Sequence, residues 1–397
     1  MNSRPAFSVL AVLSGCLSVA FALSPPPGLP VPGSTVFRVM EYNVENLFDT
    51  VSAPGALDAA FTPQGAQRWT SRRYWHKQGR LARVIAAAGG SSPVDLVALV
   101  EVENDSVVHD LTRRTALARL GYDYIVTRSA DPRGVNVALL YQPSRFRPVS
   151  VGSLRVPPPH RRQPPTRDVL HVAGATVWGD TLDVLVCHLP SRRGAQWAED
   201  YRNELCRRVR AYADSLMHVR LRPAVVVTGD FNAGWPENCL VRHLAARLPE
   251  EGKLPEREGL YVVSHGLSTP RGVSGTYYYR DSWCRLDHFV VNGMLLGASD
   301  SQRGWACPAE CSIVDFDFLL KEGPGGGDRR PAPTWRGTMY AGGCSDHLPL
   351  LLTLRPAPRA AASGAAEAAE RMAERTAEAA ERTAGAAGAT VLPVRTP

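Results

Sequence analysis

The chain has 397 residues, 44% of them hydrophobic, and 45 Lys and Arg against 38 Asp and Glu give a formal charge of +7. That is enough to bury a sizeable core, and length alone would allow two domains. The mildly basic balance suits phosphate-bearing partners, although a compositional bias toward Arg and Ala explains it equally well, and the absence of repeated Cys-x-x-Cys spacing among eight cysteines argues against a structural zinc site.

Met1 to Leu23 reads as a secretory signal: only Arg4 is charged, an apolar run starts at Ala6, and Ala20-Phe21-Ala22 fits the small-x-small cleavage rule. The competing reading is a lipoprotein-like box, Leu13-Ser14-Gly15-Cys16, with Cys16 lipidated. Apolar residues running on through Phe21 favour cleavage after Ala22, and the brevity of the run followed by Pro25-Pro26-Pro27 argues against a transmembrane anchor. A Pro-rich leader over 23–35 precedes one domain over 36–355. Residues 356–397 form an Ala/Glu/Arg low-complexity tail with no large apolar face, expected to be disordered or a marginal helix. The tail carries five Arg and five Glu, so the basic excess belongs to the folded part. Cys187 lies in an apolar run and reads as a buried free thiol. Export leaves Cys206, Cys239, Cys284, Cys307, Cys311 and Cys344 open to disulfide formation with the pairing undetermined.

Within the domain, Thr35 to Tyr42 alternates as a strand and is followed by Asn43-Val44-Glu45-Asn46. Trp69 to Ala88 predicts a helix, with Tyr74, Gln78, Leu81, Val84, Ile85 and Ala88 near one face and Arg72, Arg73, Lys77, Arg80 and Arg83 over much of the rest; Gly89-Gly90 stops it. Val94 to Val100 is a buried strand by composition, with Glu101 at its carboxyl end. A helix over Val107 to Leu120 follows, then strands over Tyr122 to Thr127 and Val135 to Tyr141 that flank a turn holding Arg133 beside Gly134. Arg133 is either a phosphate-directed cation or a solvated hairpin tip. Val156 to Thr166 is too rich in proline for an interior strand.

Thr181 to Cys187 is another apolar run. It ends in His188, with Arg192, Arg193 and Gly194 in the same loop, a combination suited to an anionic group. Tyr201 to Arg220 predicts a helix with Leu205, Val209, Tyr212, Ala213 and Leu216 inward. It leads into Val225-Val226-Val227-Thr228-Gly229-Asp230-Phe231-Asn232, a β-branched run covered on both faces, in which Asp230 and Asn232 are two apart and so share a side. The plain alternative there is an Asp/Asn turn closing a strand. Val241 to Leu248 reads as a short helix, and the region from there to Tyr279 as loop. Arg285 to Val291 reads as a strand with Asp287 near its start, and Ser299 to Met339 as an extended surface loop. Gly343-Cys344-Ser345-Asp346-His347 is a last polar cluster before the strand Leu348 to Leu354.

Six apolar runs thus begin with, end in or follow polar groups: Asn43 and Glu45, Glu101, His188, Asp230 and Asn232, Asp287, and Asp346 with His347. From Val36 to Leu354 this ordered set resembles the endonuclease/exonuclease/phosphatase superfamily, which includes pancreatic deoxyribonuclease, apurinic endonucleases, inositol polyphosphate 5-phosphatases and neutral sphingomyelinases. Gly229-Asp230-Phe231-Asn232 and Ser345-Asp346-His347 are its most specific pieces. The resemblance implies an α/β four-layered sandwich of two mixed β-sheets packed face to face with helices outside, and hydrolysis of phosphate esters with Mg2+ or Mn2+. It implies Glu101 and Asp346 beside the metal, with Glu45 a further candidate where apurinic endonucleases carry an aspartate. It also implies that Asp230 orients or deprotonates the water, that Asn43 and Asn232 hydrogen-bond the phosphate side, and that Asp287 pairs with His347. His188 matches the second histidine of the deoxyribonuclease and phosphatase branches.

Arg133, Arg192 and Arg193 are the candidates for backbone phosphates, although no aromatic-plus-basic array in the sequence identifies a strand-binding surface. The expectation is an exported monomeric phosphoesterase, periplasmic or extracellular, most simply a nuclease acting on nucleic acid. It would meet a membrane only if lipidated at Cys16. A lipid or small-molecule phosphatase and a non-catalytic surface-binding protein are the alternatives.

Overall fold

The computed structural model describes residues 36–192, 195–297, 305–323, 329–356 and 390–393; the signal-like segment, the leader, Arg193 and most of the tail lie outside them. In chain order the strands begin with β1 (Phe37–Leu47), β2 (Leu96–Val102), β3 (Asp123–Val126), β4 (Asn136–Tyr141), β5 (Phe146–Arg155), β6 (Val169–Thr176), β7 (Thr181–His188) and β8 (Val225–Asp230). They continue with β9 (Ala246–Arg247), β10 (Leu260–Val262), β11 (Tyr277–Tyr279), β12 (Ser282–Cys284), β13 (Asp287–Asn292) and β14 (Trp305–Ile313). Two small hairpins, β15 (Leu320–Glu322) with β16 (Arg329–Pro331) and β17 (Trp335–Arg336) with β18 (Met339–Tyr340), precede β19 (Leu350–Pro356) and β20 (Thr390–Pro393). Helices α1 (Ser71–Gly89), α2 (Asp105–Arg113) and α3 (Ala195–Val219) complete the framework.

Two mixed sheets form the centre. The first has the order β14-β19-β1-β2-β4-β3 and the second β20-β5-β6-β7-β8-β13-β10-β9. Period-two alternation decides what each strand faces. In β7 and β8, Val184, Val186 and Val226 join the core shared with Phe37, Val39 and Leu99 of the first sheet. Leu185, Cys187, Val225 and Val227 pack instead against Leu205, Val209 and Leu216 of α3. The Val225–Val227 run is therefore buried on both faces, as its composition predicts, and Cys187 is the expected buried free thiol.

Several expectations need correction. Lys77, expected on the cationic side of α1, is fully buried, because it lies four residues before Leu81 and seven before Val84 and so falls on the apolar stripe. The Val107–Leu120 helix is broken: α2 stops at Arg113, and the Thr115 side chain caps a separate 3-10 turn over Ala116–Leu120. Instead of a helix over Val241–Leu248, a π turn over Cys239–His243 is followed by β9. The supposed surface loop from Ser299 contains β14, an edge strand in the first sheet. Its register shifts around Cys307, and edge strands tolerate the Pro308 that hides it in the sequence. Strands β5 and β6 were not foreseen, and in β5 the register shifts between Pro148 and Ser150. Thr390–Pro393 of the tail pairs antiparallel with β5.

Candidate active site

Chain direction gathers the polar strand ends. β1 runs parallel to β2, and β7 to β8, so Asn43, Glu101, His188 and Asp230 all arrive at carboxyl ends. The antiparallel neighbours β13 and β19 begin there, bringing Asp287 at the start of one and His347 just before the other. His188, Asp230 and Asp287 are direct cross-strand partners. Asp230 continues the inward row of Val226, and Asp287 that of Phe289, so the site is a polar extension of the inter-sheet core. Backbone strain concentrates here. Glu45, Glu101 and Asn232 have φ of 51°, 66° and 50°, a left-handed conformation rare for such residues. At Gly229 (φ 133°) a Cβ would lie 1.8 Å from the Cys187 carbonyl oxygen, so β7 and β8 meet only over a glycine.

Asp230 is the hub. Its Oδ2 accepts Nδ2 hydrogen bonds from Asn43 and Asn232, each at 3.1 Å, and its Oδ1 accepts the Asn232 backbone N–H at 2.7 Å. The Asn43 bond ties the two sheets together. Burial, with Asp287 adding to it, pushes the Asp230 carboxyl up to about 7 against the pull of His347. His347 Nδ1 lies 2.7 Å from Asp287 Oδ2, which also accepts the Thr276 hydroxyl. Burial alone would lower the imidazole, but Asp287, with Asp346 and Asp230 adding to it, holds His347 well above its usual value, which favours the charged ring. His347 Nε2 is left to face a substrate. Ser345 positions the turn by donating to the Asn43 carbonyl at 2.7 Å and accepting from the His347 N–H at 3.1 Å.

His188 has the opposite state. Burial, Arg167 and Arg133 lower it well below its usual value, and its Nε2 sits 3.6 Å from Glu101 and 3.8 Å from Asp230. Arg167, which the sequence reading passed over, is buried and reaches Asp131 at 3.2 Å and the Leu189 carbonyl at 2.6 Å. Its signal was a charged Arg-Asp pair opening the apolar strand β6. Arg133 is clasped by the same Asp131 through Nε and Nη2 at 3.1 and 3.0 Å yet its side chain stays 48% exposed, so it is a tethered cation on a solvated turn. Arg192 donates to the Asn232 carbonyl at 3.1 Å and pairs with Glu237, which places it on the Asn232 loop.

The acids fit a divalent cation. Glu101 Oε2 accepts the Asn46 N–H at 2.8 Å, which aims the carboxylate from a strained backbone. Burial raises Asp346, and Glu101 adds to the shift. Glu45 is pushed up to about 8 by burial and by Asp346. Carboxylates crowded enough for Asp346 to raise Glu45 and Glu101 to raise Asp346 are what a bound cation would relieve, and hard oxygen donors suit magnesium or manganese. Glu45 is turned partly away, its oxygens accepting the Thr334 and Trp335 N–H groups at 2.5 and 2.9 Å. Lys77 pins this corner, donating to the Glu45 carbonyl at 2.9 Å, to the Thr334 hydroxyl and to the Cys344 carbonyl at 3.3 Å. Asp230, Asp287 and His347 also converge within 4.8 Å as a ligand-like trio. A metal taking Nδ1 in that trio would have to break the Asp287–His347 bond.

A profile of the Endonuclease/Exonuclease/phosphatase family matches residues 38–356. Among solved structures, the endonuclease/exonuclease/phosphatase from Bacteroides vulgatus is similar with a TM-score of 0.51 at 14% identity, covering 81% of this chain and 100% of that one. A family protein from Bacteroides thetaiotaomicron gives 0.49 at 17% identity, covering 80% and 97%. TDP2 of D. rerio, solved with a single strand DNA product, gives 0.49 at 15% identity, covering 81% and 100%. At such identities the likeness is one of fold. No curated protein matches the sequence.

Proposed function

This chain belongs to the endonuclease/exonuclease/phosphatase family, whose members are hydrolases acting on phosphoester bonds, and we propose that it is a divalent-metal-dependent phosphodiesterase, most simply a nuclease working after export. The observation that carries this reading is the charged His347, bonded to Asp287 at 2.7 Å, beside an Asp230 that Asn43 and Asn232 hold in place.

A phosphodiester is anionic and repels hydroxide, so its hydrolysis needs charge neutralisation and an aligned water. A metal held by Glu101 and Asp346 would supply Lewis-acid polarisation of the phosphoryl oxygens. Asp230 accepts the proton of the attacking water, a task suited to a carboxyl near neutrality. Asn43, through its second amide hydrogen, and the His347 Nε2–H donate to phosphate oxygens, Asn232 spends both amide hydrogens on Asp230 and the Leu189 carbonyl and so positions the base, and neutral His188 adds a hydrogen bond without a second positive charge. Arg133, held by Asp131, supplies positive potential at the rim.

The test is hydrolysis of DNA, RNA, bis-p-nitrophenyl phosphate and phosphate monoesters with magnesium, manganese or chelator. Metal-dependent diester cleavage is expected. Phosphate release from monoesters alone would make the protein a phosphatase, and no metal-dependent hydrolysis of any substrate would make it a binding protein. Export predicts a mature chain beginning near Leu23, whereas a mass fitting an acylated Cys16 would place the enzyme on a membrane instead.

A further inference from the structure

The hairpin β11–β12 stands at the mouth of the site. Its two-residue turn, Arg280-Asp281, has φ of 47° and 59°, the left-handed pair that makes a tight hairpin. Alternation divides its aromatic residues. Tyr278 crosses to Trp283 at 5.2 Å on one face, while Tyr277 and Tyr279 share the other, stacked at 6.3 Å and 17°. Tyr277 forms a β-bridge with His347, and its ring lies 4.8 Å from the imidazole. Tyr279 is 52% exposed, with the Arg280 guanidinium 5.2 Å from its ring centre. The base of the hairpin is fixed to the site, since Thr276 bonds Asp287 and its carbonyl accepts the Leu348 N–H at 2.7 Å.

An aromatic ladder thus runs outward from His347 through Tyr277 to an exposed ring beside a cation. We propose that the Tyr277–Tyr279 face seats an unpaired base of single-stranded nucleic acid next to the phosphate that His347 contacts. This rests on the phosphodiesterase reading above and deepens it by naming the substrate class. Three features point to that occupant. An exposed aromatic face offers sequence-tolerant stacking, Arg280 adds a cation for the backbone, and the ladder starts at the group that would hold a phosphate. A duplex is disfavoured because its bases already stack on one another, whereas a single strand presents free π-faces. The Tyr-Tyr-Tyr-Arg run at 277–280 lies in a stretch that reads as loop, so the array exists only once the hairpin aligns alternate residues.

Binding to fluorescent single-stranded oligothymidine and to an abasic strand of equal length, in chelator, tests this on the full chain. Tyr279→Ala should weaken oligothymidine binding about tenfold and leave abasic binding unchanged, while Tyr279→Phe keeps wild-type affinity. Tyr279 is on the surface, so unchanged thermal unfolding verifies the fold. Equal loss on both strands, or no loss on either, overturns the proposal, as does a Tyr279→Ala defect confined to binding of phosphatidylcholine vesicles. Because binding is read without turnover, a wild type that binds in this base-dependent way but hydrolyses nothing would refute the phosphodiesterase reading and leave the base seat standing. Diester hydrolysis with base-independent binding would do the reverse.

Discussion

Asp287 and His347 are sixty positions apart in sequence but make one 2.7 Å bond between buried groups. A hydrogen bond to a charged group contributes about 1.5–3 kcal/mol, which corresponds to about 10–150-fold in rate if it is felt fully at the transition state. Asp287 also sets the charge of His347, so Asp287→Ala should reduce turnover about 100-fold, the scale of a positioned acid-base group. His347→Ala removes the donor and should cost at least as much. Asp287→Asn keeps an acceptor for Nδ1 without the charge and should fall between Asp287→Ala and wild type. The packing of Tyr277 against the imidazole retains the ring in Asp287→Ala, so the loss there reflects charge and orientation. The assay is metal-activated diester turnover per folded molecule for both single variants and the double. If the pair acts as a unit, the double variant is little slower than His347→Ala. Independent action would multiply two 100-fold losses to about 10,000-fold, and that result in folded protein refutes the dyad. The competing idea, that Asp287 only salt-bridges Arg285, predicts lost stability with turnover spared, and Asp287 bonds Thr276 and His347 instead.

Glu101→Gln keeps the carboxyl shape but removes a ligand charge, so half-maximal activity should need at least several-fold more magnesium; an unchanged metal titration would remove Glu101 from the metal site. Away from the site, burial alone would raise Asp183, but Arg220 bonds both its oxygens at 2.9 and 2.8 Å and, with His171, holds it below the usual carboxylate range. Asp183→Asn removes the buried carboxylate charge that Arg220 bonds twice and should destabilise by about 3 kcal/mol or more by denaturant unfolding. Because the folded Asp183 value is depressed, its contribution is present above the unfolded value of about 3.9 and is lost as pH falls through the folded one. The gap between the variant and wild type should therefore close below about pH 4, and parallel curves to lower pH would contradict the ion pair. Glu41 is fully buried between the sheets, its oxygens form no hydrogen bond among the described residues, and burial followed by Asp287 and Asp230 raises it well above its usual value. Glu41→Met should stabilise by about 1–3 kcal/mol, and a loss of stability would show that the carboxyl has a structural role.

Local signals reached far along this chain. The Val225–Val227 run, the stripe of α1 and the polar residues after each apolar run were legible because period and burial are written in neighbouring residues. The same logic would have placed Lys77 inside, had its spacing from Leu81 and Val84 been weighed above its charge. Strands at or next to the sheet edges were less legible. Pro308 in β14 and Pro148 in β5 interrupt the alternation that marks a strand, and only a paired neighbour, β19 or β6, gives such segments their conformation.

The sequence by itself determined the fold class, the strand ends that carry chemistry and the identity of Asp230, Asn232, Asp287 and His347 as site candidates. Only the tertiary structure decided which of them are bonded to one another. Asp131 as the clasp of Arg133, Arg167 beside His188, Glu45 turned to the Thr334 and Trp335 amides, and the Tyr277–Tyr279 ladder beside His347 are contacts between distant segments. The reason is physical: strand periodicity fixes the face on which a side chain lies, but its partner and charge state depend on which strands run parallel and which return antiparallel beside them.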